Sequence, residues 1–600
     1  MDEGEDYEED YEENYEEEDY KIFEEIYEKN NMFRRETHAK FHVVYSEQDD
    51  FPQAHVELIF KPLIDILREI LPNNRELFKQ MPKVNVRDLF HVMDELKNTA
   101  KNVENSINKK SLNTFIKFLE QEFDKIYKAR DIMLRDGEVS FSMLWVFYIP
   151  NSEVFYQCDK SGVKLGGIIS SVQYNGSRNF TIYINVINYD GIGFKHCTIV
   201  RSINYFRGGK SFTEFTELSV VLSRFINISN FKRDVIESGK RFFSCYSGTN
   251  KYMNYEGLLY SEKIEEEKIR VNGRVMIDLK TFATMNPKYI MGDSRLPDKN
   301  QIELNHKNGI YLKRNELFNE NNYFLATGFV YGFSFALKKW GTFEVSKLTP
   351  IKFKVDAFDE LVIPERKKEL LKGLVNYYRP RNNTTTIGDS LDIIPDKGNG
   401  CIILCHGSPG TGKTLTAECV AESLKRPLWV LDAHELGMDP VTLEDNLSKT
   451  LEIGYTWNAI LLLDEADIYL ERRSTSDLNR NMMVCVFLRL LEYYKGILFL
   501  TTNRGKNFDD AIRSRISIFL HYPTLSKDDK LNIWKNFVRR ANLSLEVNEQ
   551  LAEHELNGRE IRNIFHISRM IADSKEEELT TSLIIDIINE YKSGLDKLDD

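Results

Sequence analysis

The chain has 600 residues, 42% of them hydrophobic, so its length excludes a single core and predicts about two to four domains. Its formal net charge of −13 comes from one end, because residues 2–19 contain 13 Asp and Glu and no Lys or Arg. Removing these 13 from the 93 acidic residues leaves 80, which equals the 80 Lys and Arg. The rest of the chain is neutral. It carries no clustered basic face, so the sequence has no nucleic-acid-binding signature.

Composition also indicates the compartment. The seven cysteines are scattered and form no CxxC pair, and Cys401 and Cys405 flank a predicted buried strand. We interpret them as core residues rather than metal ligands. An odd number of cysteines without a leader sequence is expected in a reducing compartment, and no apolar run approaches the length of a membrane span. We therefore expect an intracellular protein of the cytoplasm or nucleus.

The first part of the chain predicts three different segments. Residues 1–20 alternate acids with tyrosines and cannot bury enough surface to fold, which predicts a disordered acidic tail. Residues 21–130 repeat apolar positions at helical spacing and predict a helical segment. Residues 131–344 contain short β-rich runs separated by Gly and Asn turns, which predicts a mostly β domain without a catalytic constellation.

The second part predicts an α/β domain. A linker is expected at residues 345–356, which are rich in Lys and include Pro350. Helices and apolar strands then alternate over residues 357–525, as in a parallel sheet. Only helices follow in residues 526–600, beginning with a capping box at Ser526, and we expect them to form a small helical lid.

The most specific motif lies in the α/β domain, where Gly407 to Thr414 reads Gly-Ser-Pro-Gly-Thr-Gly-Lys-Thr. An apolar strand precedes this P-loop pattern and a helix-forming run follows it. Glycines at such a turn let backbone N–H groups approach phosphates, and the helix N-terminus adds partial positive charge. We expect a nucleotide to be bound by Gly407, Ser408, Pro409, Gly410, Thr411, Gly412, Lys413, Thr414 and Leu415.

An acidic pair completes the expected hydrolytic site. The apolar run at 460–463 ends in Asp464 and Glu465. We expect Lys413 to reach the β- and γ-phosphates of ATP, while the Thr414 hydroxyl and Asp464 hold Mg²⁺. Glu465 is placed to polarise an attacking water.

Residues 464–467 also read Asp-Glu-Ala-Asp, the signature of one helicase group. Those helicases need a second nucleotide-binding lobe that supplies arginines and grips RNA. The helical residues 526–600 are too few to form such a lobe, so we set the helicase interpretation aside.

Two further segments resemble AAA+ ATPases. A strand at 497–500 ends in Thr501-Thr502-Asn503, and Arg513-Ser514-Arg515 follows downstream. The resemblance implies that Asn503 is the sensor 1 residue, which holds the lytic water. It also implies that Arg515 is an arginine finger acting on the neighbouring subunit's site. Arg513 departs from the usual spacing. A homo-oligomeric ring, expected to be a hexamer, follows from this resemblance.

Weaker matches involve Arg559, which resembles the sensor 2 position of the family, and residues 357–362, which resemble the segment beside the adenine. A solvated arginine at the start of a helix is the alternative for Arg559. An aromatic pore loop is missing, because the corresponding stretch, 434–440, reads His-Glu-Leu-Gly-Met-Asp-Pro. Threading of polypeptide is therefore not expected by default.

The chain also resembles, more specifically than AAA+ ATPases in general, a group of AAA ATPases abundant in fungi, which join the ATPase to an upstream β-rich domain of unknown function. This resemblance covers residues 50 to 600 and rests on segments at 333–340, 358–362, 407–422, 457–467, 487–494 and 501–504. The leading hypothesis is a Mg²⁺-dependent ATPase that remodels an unknown protein or other macromolecule. A nucleotide-gated scaffold and a nucleic-acid remodelling ATPase are the alternatives.

Overall fold

The computed structural model describes residues 33–599, apart from 39, 49–50, 73, 159–160, 176–177, 207–211, 227, 249, 261–267, 288–311, 313–317, 379–399, 473–476, 505–507 and 546. The predicted acidic tail at residues 1–20 lies outside the described residues. Among the helices described, none combines the length and the apolarity needed to cross a bilayer.

The predicted helical segment begins instead with an antiparallel sheet of order β1-β2-β3-β4. Its strands are β1 (Phe33–Thr37), β2 (Phe41–Gln48), β3 (Phe51–Leu58) and β4 (Lys83–Asn85). The helical prediction was wrong for residues 33–58, because Ala54, Val56 and Leu58 are buried at alternate positions, which is the period of a strand. Helices follow at Lys61–Ile70, Val86–His91, Met93–Asn102 and Ser106–Asp136.

The β-rich region contains two larger sheets joined by helices. The first has the order β11-β6-β7-β8-β9, and a separate pair joins β5 to β10. The strands are β5 (Glu138–Ser140), β6 (Glu153–Gln157), β7 (Lys164–Tyr174), β8 (Asn179–Tyr189), β9 (Phe194–Asn204), β10 (Phe212–Glu214) and β11 (Val220–Leu222). Helices in this region are Leu144–Phe147, Ile228–Cys245, Leu279–Met285 and Glu320–Phe324.

We call the second of these sheets the upstream sheet. It is antiparallel, has the order β13-β14-β15-β12-β16 and closes on itself through pairing of β12 with β13. Its strands are β12 (Lys251–Tyr260), β13 (Lys268–Ile277), β14 (Phe329–Ser334), β15 (Lys339–Glu344) and β16 (Leu348–Thr349). Because β16 pairs with β12, the predicted linker at 345–356 begins inside this sheet rather than after it.

The α/β domain has one fully parallel sheet of order β18-β19-β20-β17-β21, which we call the ATPase sheet. The strands are β17 (Cys401–Gly407), β18 (Leu428–Leu431), β19 (Ile460–Leu463), β20 (Ile497–Thr502) and β21 (Ile518–Tyr522). Its helices are Glu365–Tyr378, Lys413–Leu424, Ala433–Leu436, Pro440–Thr456, Asp467–Leu470, Leu478–Tyr493 and Asp510–Arg513. The α/β prediction is confirmed for this part of the chain. Parallel strands present their carboxyl ends at one edge, where ligands bind in such sheets.

The chain continues as helices Lys527–Arg540, Gln550–Glu553, Gly558–Ser574 and Thr581–Asp599. They enclose a separate core around the fully buried Trp534, Ile561 and Ile584. The predicted capping box at Ser526 is confirmed, because its hydroxyl accepts the Asp529 N–H while the Asp529 carboxylate accepts the Ser526 N–H. Short 3₁₀ helices lie at Arg75–Phe78, Phe141–Met143, Ser223–Phe225, Val345–Lys347 and Val355–Phe358.

The upstream sheet packs directly against the ATPase sheet through aromatic side chains. Phe333 of β14 lies 5.0 Å from Trp429 of β18 and 5.8 Å from Trp457, measured between ring centroids. The rings of Trp429 and Trp457 stack at 5.4 Å. We call this set the aromatic interface, comprising Phe333, Phe335, Trp340, Trp429 and Trp457. Such pairs each contribute roughly 0.5–1.5 kcal/mol beyond the area they bury.

Candidate active site

The glycine-rich loop joins β17 to the helix Lys413–Leu424, as the sequence predicted. Gly407, Gly410 and Gly412 have φ of 140°, 70° and 99°, a region that favours glycine. The loop is braced internally, since the Thr411 hydroxyl donates to the Ser408 carbonyl at 2.8 Å. Its entry is fixed to the edge strand β21, because the Ser408 N–H donates to the Tyr522 carbonyl at 3.1 Å.

Lys413 lies at the centre of the site and is only 7% exposed. Its ammonium donates three hydrogen bonds of 2.8 Å, to the carbonyls of Gly407 and Ser408 and to Oδ1 of Asn503. Burial lowers the pKa of Lys413, and the positive charge of Arg559 lowers it further. The fold therefore brings the predicted phosphate-binding lysine and the predicted sensor asparagine into direct contact.

The two predicted metal ligands also meet. The Thr414 hydroxyl donates to Oδ1 of Asp464 at 3.3 Å. Mg²⁺ usually takes one or two protein oxygen ligands and completes its shell with phosphates and water. A hydroxyl beside a carboxylate at the loop fits that preference. No cluster of three or more His, Cys, Asp or Glu side chains suited to a metal occurs within the part of the chain that the structure describes.

Glu465 follows at the turn after β19 and has a φ of +53°, in the left-handed region. A non-glycine residue there is uncommon and is often found at functional sites. The residue is exposed, so solvent can reach its carboxylate. Its backbone N–H donates to the Thr501 hydroxyl at 3.1 Å, and the N–H of Ala466 donates to the Thr501 carbonyl at 2.9 Å.

The start of the helix Gly558–Ser574 contacts the loop. The Gly558 N–H donates to the Gly410 carbonyl at 2.9 Å. Asn557 caps this helix by accepting the N–H groups of Arg559 and Glu560. Arg559 is exposed but close enough for its charge to act on Lys413. The charge of the predicted sensor 2 residue therefore acts on the predicted phosphate-binding lysine.

Arg515 is held away from these groups within its own chain. Its guanidinium donates to Oε2 of Glu492 and to the Ala511 carbonyl, both at 2.9 Å. No hydrogen bond or ion pair joins Arg515 to the loop or to the acidic pair among the described residues. Arg513 forms an exposed ion pair with Asp510 at 3.6 Å. This geometry leaves the arginine-finger role of Arg515 a prediction.

Sequence reasoning missed the polar contacts between the upstream sheet and the ATPase sheet. Arg274 of β13 forms an ion pair of 2.5 Å with Glu422, which lies on the helix that begins at Lys413. Lys338 pairs with Asp432 at 3.1 Å and with Glu435 at 2.8 Å. No local pattern indicates these pairs, because the partners are far apart in sequence. The charged residues on the strand β13 were the only available hint.

A second feature that the sequence left unrecognised is Thr501. Only the asparagine of Thr501-Thr502-Asn503 was assigned a role, whereas the Thr501 hydroxyl contacts both Asp464 and the backbone of Glu465. The sequence did contain a signal for this role, because Thr501 directly follows the buried run 497–500. That position places its hydroxyl beside the end of the adjacent strand, β19.

Comparison with known families agrees with this geometry. Residues 403–524 match the model of the ATPase family associated with various cellular activities (AAA), and residues 129–226 match a domain of unknown function (DUF7025). The human ATPase family AAA domain-containing protein 3B is 29% identical over 140 residues, 21% of this chain and 21% of the relative. Drosophila melanogaster Fidgetin-like protein 1 is 27% identical over 163 residues, 26% and 31% of the two chains.

A replication factor C small subunit of Methanococcus maripaludis is 26% identical over 225 residues, 35% of this chain and 68% of the relative. The chain thus matches less than a third of the length of the human and Drosophila relatives. The AAA match covers the loop, the acidic pair and Asn503 together. The chain therefore carries an AAA-family ATPase domain at residues 403–524, and residues 129–226 ahead of it match a domain of unknown function.

Proposed function

We propose that the chain is an oligomeric, Mg²⁺-dependent ATPase that uses hydrolysis to rearrange a macromolecule bound by its upstream β-rich region. The observation that carries the proposal is the convergence of three chain segments at one edge of the ATPase sheet. Lys413, from the loop, contacts Asn503 at 2.8 Å. The next residue, Thr414, contacts Asp464 at 3.3 Å.

The loop binds the phosphates of ATP through its backbone N–H groups. Lys413 then exchanges its bonds to two loop carbonyls and to Asn503 for bonds to the β- and γ-phosphate oxygens. An ammonium has three donors, and all three are satisfied by groups of the chain itself in this structure. Release of Asn503 lets its side-chain amide turn toward the γ-phosphate.

Hydrolysis requires a positioned water and compensation of charge on the leaving phosphates. Thr414 and Asp464 hold Mg²⁺, which when bound supplies positive charge to the β- and γ-phosphates. Glu465, exposed at the turn after β19, polarises the attacking water, and Asn503 orients that water. The carboxylate of Glu465 and the amide of Asn503 thus act on the same molecule from adjacent strand ends.

The remaining cation comes from a neighbouring subunit. Glu492 and Ala511 hold Arg515 at the end of the segment that precedes β21. We infer that Arg515 reaches the γ-phosphate of the adjacent protomer in a ring, expected to contain six copies. The resemblance to AAA+ proteins supports this arrangement.

The segment 434–440 supports remodelling without threading. It carries no aromatic residue, and Lys338 of the upstream region pairs with Glu435 within it. The Tyr469 hydroxyl contacts the carbonyls of Ala433 and Gly437 at 3.3 Å. A segment tied in this way is poorly suited to grip a moving polypeptide, so the upstream region is the better candidate for holding the macromolecule.

The experiment compares wild type with Lys413→Ala in the full chain. Wild type should bind a fluorescent ATP analogue and release phosphate in the presence of Mg²⁺, whereas Lys413→Ala should do neither. Arg489→Ala, which removes an exposed ion pair with Glu444, serves as the control and should retain both properties. Binding without any turnover by wild type would overturn the proposal in favour of a nucleotide-gated scaffold.

A further inference from the structure

Thr501 is the last but one residue of β20 and is 2% exposed. Its hydroxyl donates to Oδ1 of Asp464 and accepts the backbone N–H of Glu465 at 3.1 Å. Its carbonyl accepts the N–H of Ala466 at 2.9 Å. Thr501 therefore contacts all three consecutive residues of the turn after β19, which are Asp464, Glu465 and Ala466.

These contacts fix the direction of the Asp464 carboxylate. Oδ1 of Asp464 receives the hydroxyls of both Thr414 and Thr501. A threonine hydroxyl has a single proton, so donation to Asp464 leaves its lone pairs for the Glu465 N–H. The orientation of the metal-binding carboxylate and the position of the next backbone amide are thus coupled through one oxygen atom.

The same contacts hold Glu465 in its left-handed conformation. Its φ of +53° is seldom adopted by residues other than glycine, and it persists only where the surroundings enforce it. Thr501 supplies that constraint by accepting two hydrogen bonds, one from the Glu465 N–H and one from the Ala466 N–H, which lie on either side of the Glu465 Cα. The turn directs the Glu465 carboxylate out of the sheet edge toward solvent.

We propose that Thr501 is a positioning residue for ATP hydrolysis: its hydroxyl aligns the Asp464 carboxylate with the metal position and holds Glu465 in the conformation that presents its carboxylate to water. The inference rests on the proposed function. The adjacent Thr502 does not share this role, since its hydroxyl donates to Asp467 instead.

The test measures turnover and nucleotide affinity separately for the full chain carrying Thr501→Val, Thr501→Ser or Glu465→Gln. Thr501→Val keeps the shape of the side chain and removes the hydroxyl. We expect its kcat to fall roughly 10- to 100-fold, a range typical when outer-shell partners are lost, with the Kd for ATP within about threefold of wild type. Thr501→Ser retains the hydroxyl and should restore kcat to within about threefold.

Thr181→Val controls for the loss of a buried threonine hydroxyl. Thr181 lies in β8, is 3% exposed and accepts a hydrogen bond from Asn175, far from the site in sequence. It should lose thermal stability to a similar extent as Thr501→Val but keep its kcat. If the valine variant does not fold, Thr501→Ala takes its place. Failure of both to fold while Thr181→Val folds would overturn the inference in favour of a structural role.

Several results would overturn the inference. If Thr501→Val kept the wild-type kcat while Glu465→Gln was inactive, the role of Thr501 would be overturned and the proposed function would stand. Failure of Thr501→Ser to restore turnover would have the same consequence. A loss of ATP affinity that matches the loss of kcat would assign Thr501 to binding. Absence of turnover in wild type would instead overturn the proposed function, and this inference with it.

Discussion

The indole N–H of Trp457 donates to Oδ2 of Asp278 at 2.8 Å, and both residues are buried, at 3% exposure each. Asp278 begins the helix that follows β13, whereas Trp457 ends the helix that precedes β19. The bond therefore joins the upstream region to the ATPase sheet at the centre of the aromatic interface. The two regions form one packed unit rather than two domains separated by a linker.

Trp457→Phe should lower the free energy of unfolding by more than the loss of buried apolar side-chain area explains. The substitution removes one hydrogen bond from a buried carboxylate, which keeps its bonds from the hydroxyl and the N–H of Thr281. A hydrogen bond to a charged group contributes about 1.5–3 kcal/mol. Trp534→Phe is the matched control, because the indole N–H of Trp534 is also buried but has no hydrogen-bond partner among the described residues. Chemical unfolding, followed by fluorescence, measures the free energy of unfolding of both variants and of wild type. Equal losses in the two variants would contradict a stabilising role for the Trp457–Asp278 bond.

Gly410→Ala should weaken nucleotide binding at least tenfold. Gly410 has a φ of 70°, and a Cβ there would lie 2.3 Å from Oδ1 of Asn557. The loop and the start of the helix Gly558–Ser574 must then move apart, which breaks the hydrogen bond from the Gly558 N–H to the Gly410 carbonyl. Gly373→Ala controls for glycine replacement, since its Cβ would meet nothing within 4 Å. Titration with a fluorescent ATP analogue measures both, and unchanged affinity in Gly410→Ala would refute the expected clash.

Arg515→Ala should reduce kcat by about 10³-fold or more while leaving ATP binding intact, as expected for an arginine finger. Mixing Arg515→Ala with Glu465→Gln provides the decisive measurement. In rings formed from equal amounts of the two variants, about a quarter of the interfaces place the intact Glu465 of one subunit opposite the intact Arg515 of its neighbour. Phosphate release should therefore recover in the mixture. A mixture no more active than its separate components would show that Arg515 does not act between subunits.

The buried thiols of the α/β domain should resist alkylation in the folded chain. Burial raises the pKa of Cys405 and of Cys419 to about 12 and that of Cys401 to about 11. Cys485 is exposed. Iodoacetamide at pH 8 should modify Cys485 well before these three, as peptide mass spectrometry would show. Rapid labelling of Cys405 under native conditions would contradict its burial.

The same raised pKa values make stability depend on pH. The thiols stay protonated in the folded chain, whereas an unfolded thiol ionises near its ordinary value of 9.0. Their contribution is therefore complete below about pH 9 and is lost as the pH rises toward the folded values. Thermal unfolding midpoints measured from pH 7 to 11 should fall above pH 9, and Cys405→Ser should flatten that fall.

The parts of the fold that follow from local pattern were predicted correctly. The loop at 407–414 and the strand ends at Asp464 and Asn503 depend on apolar runs, turn glycines and spacing, all visible in one stretch of sequence. The helical prediction for residues 33–58 was wrong because short apolar runs fit both the helical period and the strand period. Ala54, Val56 and Leu58 follow the period of a strand. Spatial contacts could not be read in advance: Trp457 and Asp278 lie 179 positions apart, and no local pattern links them.

The central claim, ATP hydrolysis at the site built by Lys413, Asp464 and Glu465, is tested most directly by Glu465→Gln. The amide keeps the shape of the side chain but cannot polarise water as a carboxylate does. Phosphate release and binding of radiolabelled ATP are measured on wild type and variant in parallel. We predict that Glu465→Gln binds ATP with Mg²⁺ as wild type does and releases almost no phosphate. Wild-type phosphate release by this variant would contradict hydrolysis at this site.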